Sequence, residues 1–492
     1  MIPAVRRSID YALALLLAVF IGRVWLMAMK SGFWVDELVT VFVVRRPGDP
    51  SFAIAPQVPE SLYYIFPKFF MRFLGSSEAI VRLPSALAAA GALVCIGRIA
   101  ARLVHPQAAW FAVFACLAFS NFDYLAIDAR PYALGIAAAS ASLLFLIRWL
   151  EAARWRDEAV FLAFAGALWY IHLFYWPFYL VYAAYAGAML LRRDTPVSAK
   201  QISFGIAFLA AALAPAAATA LRISGEAGAH TFNPQPTLRN LFYLLHVHVV
   251  LLALVGGLVL SKALHFRKAK GVSRTAWGLF LSWWLVCPLA LFAYSHLSGN
   301  GVLISRYVSL MLPGIALTAT AIAALFLPAD WWKPAALAIG ASALLFHGQW
   351  SVLWPVHDKD NWREIARAEH DLAGPDTPVL CPSPFIEAQW PVWNPGYRLP
   401  GFLYAHLTYY PLKGSLRLFP FTPSPESDAY LGSLSETELA PSGRFILYGS
   451  TWAVGKLDRW LAAQPQFRAW GKDSRSFGTL SVVVYRNALQ GY

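Results

Sequence analysis

YALALLLAVFIGRVWLMAMKSGFWVDELVTV, Tyr11–Val41, joins a long apolar run to a pair of acids. The run at roughly 10–29 has the length a bilayer crossing needs. Asp36 and Glu37 then stand side by side where the hydrocarbon would end. Ten further candidate spans follow at roughly 80–103, 107–122, 131–149, 158–174, 175–191, 201–222, 239–261, 275–297, 303–327 and 332–350. Composition agrees: 58% of the chain is hydrophobic and 14% charged, against about 45–50% and about 25% in soluble domains. Twenty Trp residues suit interfacial belts. The four cysteines, Cys95, Cys116, Cys287 and Cys381, form no disulfide framework and no zinc-ligand spacing. The first span is read as a retained anchor, because no small-x-small cleavage site follows it.

The net charge of +13 is spread over short loops between apolar runs. That pattern reports topology and excludes a nucleic-acid face, where cations would cluster on soluble material. With the N-terminus cytoplasmic, alternate loops fall inside with Arg98 and Arg102; with Arg148, Arg154 and Arg156; with Arg192, Arg193 and Lys200; and with Lys262, Arg267, Lys268, Lys270 and Arg274. The opposite loops carry little positive charge. An odd span count of eleven places both the 30–79 loop and the C-terminal tail outside. Residues 351–492 differ in texture. PVLC, RFILYG and LSVVVYR read as strands, WREIARAEHDL and LDRWLAAQ as amphipathic helices. The fold class is therefore an α-helical polytopic membrane protein of about eleven transmembrane helices with a small C-terminal extracytoplasmic α/β domain. The expected boundaries are 1–350 for the membrane part, with its first outer loop at 30–79, and 351–492 for the outer domain.

This topology gathers polar groups at the outer face: Asp36 and Glu37; Asp123, Asp128 and Arg130; His172; Arg222, Glu226 and His230; His296 and Arg306. Ionisable groups at membrane depth are costly unless paired or wetted, so a cluster at one level implies a water-filled cavity open outward. Each group also has a purely structural reading: an acid in the headgroup zone, an Asp128–Arg130 loop ion pair, a snorkelling Arg306, a core His172, a solvated His230. SLYYIFPKFFMRFLG interleaves aromatics with Lys68 and Arg72. It suits either a lipid-surface anchor or the wall of a site that accepts a lipid-linked phosphate.

WVDE, LYYIF, GSSEAIVRLPSALAA, DARPYAL, YIHLFYW, SRYVSLMLPG and DNWREIA occur in an order that resembles bacterial membrane glycosyltransferases of the GT-C type, relatives of the protein O-mannosyltransferases and of the lipid A aminoarabinose transferase. The resemblance covers roughly residues 10–370. It implies a sugar donor on a polyprenyl phosphate, transfer on the outer face of the inner membrane, and a glycan, lipid or protein acceptor. It puts the catalytic acid on Asp36 with Glu37 beside it, and donor-phosphate contacts on Arg130, Arg306 and Lys68. Asp128, His172, Tyr63 and Tyr132 would support them. One departure is clear: where many relatives carry His-Pro-Pro or Lys-Pro-Pro, this chain has Pro59, Glu60 and Ser61, so a phosphate cation is missing from its usual place.

The chemistry matches those residue types. A carboxylate takes the acceptor's proton, guanidiniums hold the departing phosphate, and single displacement inverts the anomeric carbon. A monophosphate leaving group held by two arginines demands no cofactor, and no divalent metal is expected. A transporter or flippase of lipid-linked sugar is the competing class; it would keep its ionisable groups nearer mid-bilayer.

Overall fold

The computed structural model describes residues 3–56, 58–226, 233–265, 271–389, 401–420, 422 and 424–487. Each of the eleven expected spans coincides with helix. Among the described residues, six helices are long and apolar enough to cross a membrane, and up to eight if each of two bent pairs is one span. The expected 107–122 span is one such pair, Ala109–Leu117 and Ser120–Ala126, bent by 85°. The expected 303–327 span shortens to Met311–Ala323, because residues 305–310 form turns instead.

The chain divides into two compact units: Met1–Met29, Ser61–Phe70 and Arg82–Pro355 form the first; Lys30–Glu60, Met71–Val81 and Val356–Tyr492 form the second. This division differs from the expected domains chiefly in the 30–79 loop. Most of the 30–79 loop folds with the C-terminal residues, not with the membrane helices. The reason is specific bonding. Phe33 accepts the Trp362 N–H at 3.1 Å, and its own N–H donates to the Tyr410 hydroxyl at 3.1 Å. Tyr410 and Arg363 both donate to Glu78, at 2.8 and 3.1 Å. Phe52 stacks on Phe402 with centroids 5.5 Å apart. Gly32 approaches the same segment so closely that a Cβ there would collide with the Asn361 side chain.

In the first unit, Tyr132–Ala152 and Trp155–Ile171 form an antiparallel pair joined at Ala153, whose φ of 51° turns the chain. Arg274–Ser298 packs on Met311–Ala323. A Cβ at Gly314 would lie 2.6 Å from the Trp284 nitrogen, so glycine permits that close approach. Trp283 Nε1 donates to the Leu310 carbonyl at 2.7 Å across the same contact. The fully buried Arg82 donates to the Met29 carbonyl at 3.0 Å, fastening the end of the first span. Leu251, Leu252, Val255 and Val259 stay exposed along one helix, as expected where the surrounding solvent is lipid.

The second unit holds a five-stranded sheet ordered β2-β1-β3-β5-β4. Its strands are β1 (Pro378–Pro382), β2 (Ser415–Phe419), β3 (Arg444–Ser450), β4 (Gly471–Phe477) and β5 (Leu480–Arg486). β1 pairs in parallel with β2 and β3; β5 runs antiparallel to β3 and β4. Leu447, Tyr485, Leu457, Leu461 and Leu431 meet in its core, where the helices Thr451–Ala463 and Pro425–Leu434 cover one face. The other amphipathic helix appears at Trp362–Leu372.

His406 is fully buried among Trp362, Tyr404 and Tyr448, with the Cys381 sulfur 3.5 Å from Nε2. Burial lowers its pKa from 6.5 to about 3. The folded state therefore holds the neutral ring. Its contribution is complete above pH 6.5 and is lost as pH falls toward 3. The melting temperature is expected to fall between about pH 7 and about pH 5, more steeply in the native chain than in His406→Gln, as followed by thermal denaturation.

Candidate active site

Six of the residues selected from sequence converge in the first unit. The approach begins at Ser61, whose hydroxyl donates to the Ile171 carbonyl at 2.7 Å and accepts the Tyr63 N–H at 3.3 Å. This ties the short helix Leu62–Tyr64 to the end of Trp155–Ile171. Tyr63 is thereby buried, with its hydroxyl 3.5 Å from Ser85 Oγ. Ser85 in turn reaches the Arg130 carbonyl at 3.5 Å. Burial pushes the Tyr63 phenol well above its ordinary range, with the Ser85 hydrogen bond offsetting only part of that. It remains a neutral donor.

DARPY makes the next wall. The Arg130 N–H donates to the Asp128 carbonyl at 2.7 Å, closing a tight turn. Pro131, with φ at −66°, then launches the helix from Tyr132. The turn buries Asp128 and Tyr132 completely and leaves Arg130 half-buried.

His172 marks a break between two helices, its own backbone extended at φ −156°. Its Nδ1 accepts the Phe174 N–H at 3.3 Å, which leaves Nε2 to carry the proton of the neutral ring. Aromatics surround it: Tyr132 at 5.6 Å, Tyr175 at 5.1 Å and Tyr307 at 5.0 Å between centroids. Arg130 lies two residues before Tyr132, and Arg306 directly precedes Tyr307. The Arg306 guanidinium lies 5.7 Å from the centre of the Tyr307 ring, which stacks on Phe174 at 4.8 Å. Two half-buried guanidiniums and several neutral donors therefore meet around one histidine at the ends of apolar helices. Guanidiniums in such surroundings are suited to an anion, and arginine in particular to phosphate.

Asp36 and Glu37 belong to the second unit, in the first turn of the helix Val35–Arg45. Glu37 is fully buried and accepts the Trp34 N–H at 3.3 Å, capping its own helix. The buried His357 Nε2 lies 3.9 Å from the other Glu37 oxygen. Asp36 is half-buried in the same turn.

Other sequence candidates fall elsewhere. Lys68 is exposed on the helix Ile65–Leu74, with no ion-pair or hydrogen-bond partner among the described residues, beside exposed Ile65, Phe66, Phe69 and Phe73. Asp123, grouped above with the outer-face acids, is bound instead by His347 at 2.6 Å and Trp25 at 3.2 Å. His296 bonds the Pro236 carbonyl at 3.0 Å. His230 and the Glu226 side chain lie outside the described residues. Sequence reasoning missed Ser85, Tyr175, Tyr307, His357 and Ser309, whose hydroxyl lies 3.4 Å from that of Tyr175. Tyr307 followed a selected arginine and was within reach; Ser85 lies inside the quoted GSSEAIVRLPSALAA but is one hydroxyl among mostly apolar neighbours.

Residues 59–220 match the sequence model of a family described as dolichyl-phosphate-mannose-protein mannosyltransferase. No curated protein matches. The crystal structure of ArnT from Cupriavidus metallidurans in the apo state superposes with a TM-score of 0.58 at 13% identity, covering 97% of this chain and 98% of that one. The same protein bound to undecaprenyl phosphate superposes at 0.51 and 12% identity, covering 97% and 99%. At that coverage the likeness runs from end to end and shows a shared fold.

Proposed function

We propose, with the GT-C fold as premise, that this multi-pass membrane protein is a glycosyltransferase. It moves a sugar from a polyprenyl phosphate to an acceptor hydroxyl of a glycan, lipid or protein. The observation that carries the reading is that half-buried Arg130 and Arg306 stand beside Tyr132 and Tyr307, whose rings lie 5.6 and 5.0 Å from His172. Negative charge grows on the leaving phosphate as the glycosidic bond breaks, and preorganised cations aimed at developing charge are usually the largest catalytic term. The undecaprenyl phosphate bound to the ArnT structure of this fold supports a lipid phosphate as the ligand.

The roles follow from local bonding. Arg130 and Arg306 hold the phosphate. Asp128 orients Arg130 through the turn they share, and Tyr63, Tyr132 and His172 supply neutral donors and walls. Asp36 takes the acceptor's proton. Glu37 is committed to the Trp34 N–H and to the neighbourhood of His357, so it positions the Asp36 turn and does not share the base role. Lys68 is reassigned to lipid headgroups, because the hydrophobic residues around it face outward. Direct displacement inverts the anomeric carbon, with the reaction on the outer face of the inner membrane and the N-terminus cytoplasmic.

Purified protein given a panel of polyprenyl-phosphate sugars should release polyprenyl phosphate with one of them. Movement of intact lipid-linked sugar without cleavage would favour a flippase instead. Chelation by EDTA is expected to leave turnover unchanged, since two arginines already neutralise a monophosphate. Loss of turnover restored by a divalent ion would overturn the metal-free mechanism and direct attention to Glu37 and His357.

A further inference from the structure

A second cationic site lies at the far end of the same helices. A cavity of about 580 Å³ is lined by Arg98, Arg102, Arg148, Arg154 and Asp157, with small and apolar side chains between them. Arg148 pairs with Asp157 at 2.9 Å, and Arg102 pairs with Glu151. Those bonds lock the helices Glu78–Leu103, Tyr132–Ala152 and Trp155–Ile171 to one another. Arg98 and Arg154 are exposed and have no ion-pair partner among the described residues. The walls are thus fixed, and two cations remain uncompensated at the mouth.

Its depth can be placed. The helix Tyr132–Ala152 starts beside Arg130 and ends at this cavity after 21 residues, a rise of about 31 Å. That equals the hydrocarbon thickness of a bilayer, so the two arginine clusters stand at opposite membrane faces. Trp155, 71% exposed next to Arg154, carries the Arg156 guanidinium 5.7 Å from its ring centre. An exposed tryptophan at the entry of an apolar helix marks the headgroup level.

We propose that this cavity binds a phosphate-bearing group at the membrane face opposite Arg130 and Arg306, with Arg98 and Arg154 as its ligands. Arginine grips phosphate with two parallel N–H bonds, and basic pockets between helices at headgroup depth are where anionic lipid heads are held. A lipid there would bridge three helices, two of which carry residues of the outer cluster. The inference is independent of the sugar-transfer reading and survives its failure.

The test uses the full-length protein in phosphatidylcholine nanodiscs, with phosphatidylglycerol added to some and inorganic phosphate to others. Arg98→Gln/Arg154→Gln is compared with Arg192→Gln/Arg193→Gln, which removes equal charge from another loop. Native mass spectrometry counts bound ligand on folded protein only, so a loss of stability cannot pass for a loss of binding. The expected result is retention of at least one probe by the native chain and by the control pair. The Arg98/Arg154 variant should bind it about tenfold more weakly or worse. Retention of phosphatidylglycerol alone identifies a lipid head as the source; a response to inorganic phosphate identifies a soluble one. Binding of neither probe, or equal binding by the Arg98/Arg154 variant, overturns the site.

Discussion

Asp36→Asn is expected to reduce polyprenyl-phosphate release by about 10²–10⁴-fold while leaving the melting temperature close to native. The amide keeps the size and shape of the side chain and loses its ability to accept a proton. The turn that carries it is also held by bonds from other residues. Glu37 bonds the Trp34 N–H, and Phe33 is held by Trp362 and Tyr410. Glu37→Gln makes the useful contrast. It disturbs the helix start and the buried His357 contact, so it should lower stability together with activity. Single-turnover kinetics with saturating donor separate the two variants: Asp36→Asn slows the chemical step alone. Native turnover in Asp36→Asn would remove Asp36 from the base role.

What the sequence disclosed follows from how strongly each feature constrains its residues. A membrane span is a long apolar run with no substitute, so every expected span coincides with helix. Kinks are weaker signals. The bend between Ala109–Leu117 and Ser120–Ala126 left the apolar pattern unbroken and took Asp123 to His347. The strands at β1, β3 and β5 are buried hydrophobic runs and were legible. β4 reads GKDSRSF and is exposed along nearly its whole length; an edge strand of that kind owes its conformation to β5, not to its own residues. The grouping of most of the 30–79 loop with the C-terminal residues was hidden for a related reason. Backbone bonds such as Trp362 N–H to the Phe33 carbonyl leave no trace in composition. Within the site, DARPY and SRY were visible because arginines stand out in apolar surroundings. Lys68 was equally visible, but its exposure beside Ile65, Phe66 and Phe69 could not be read from its neighbours in sequence.

Arg306→Lys tests the leaving-group half of the mechanism with a change that keeps the charge. Arg306 lies in the turns just before Met311–Ala323, half-buried against Tyr307. Lysine is a point charge on a flexible stem and cannot make the two-pronged bond to phosphate. Its solvation also favours water over a partly buried site. The expected outcome is a fall in kcat of about 10²–10³-fold with a smaller change in KM for the donor. Charge on the leaving oxygen is greater in the transition state than in the bound donor, so the lost interaction is mainly a transition-state one. Arg130→Lys should behave alike, and the double variant should lose less than the product of the two, because both act on one phosphate. Lys68→Gln is the discriminating control. It removes a cation from the same stretch of sequence motifs, yet its exposed position among exposed apolar residues predicts native kcat in detergent and weaker association only with anionic bilayers. If Lys68→Gln impaired kcat as severely as Arg306→Lys, the phosphate would have to lie toward the Ile65–Leu74 helix, and the assignment of Arg130 and Arg306 as its holders would be wrong.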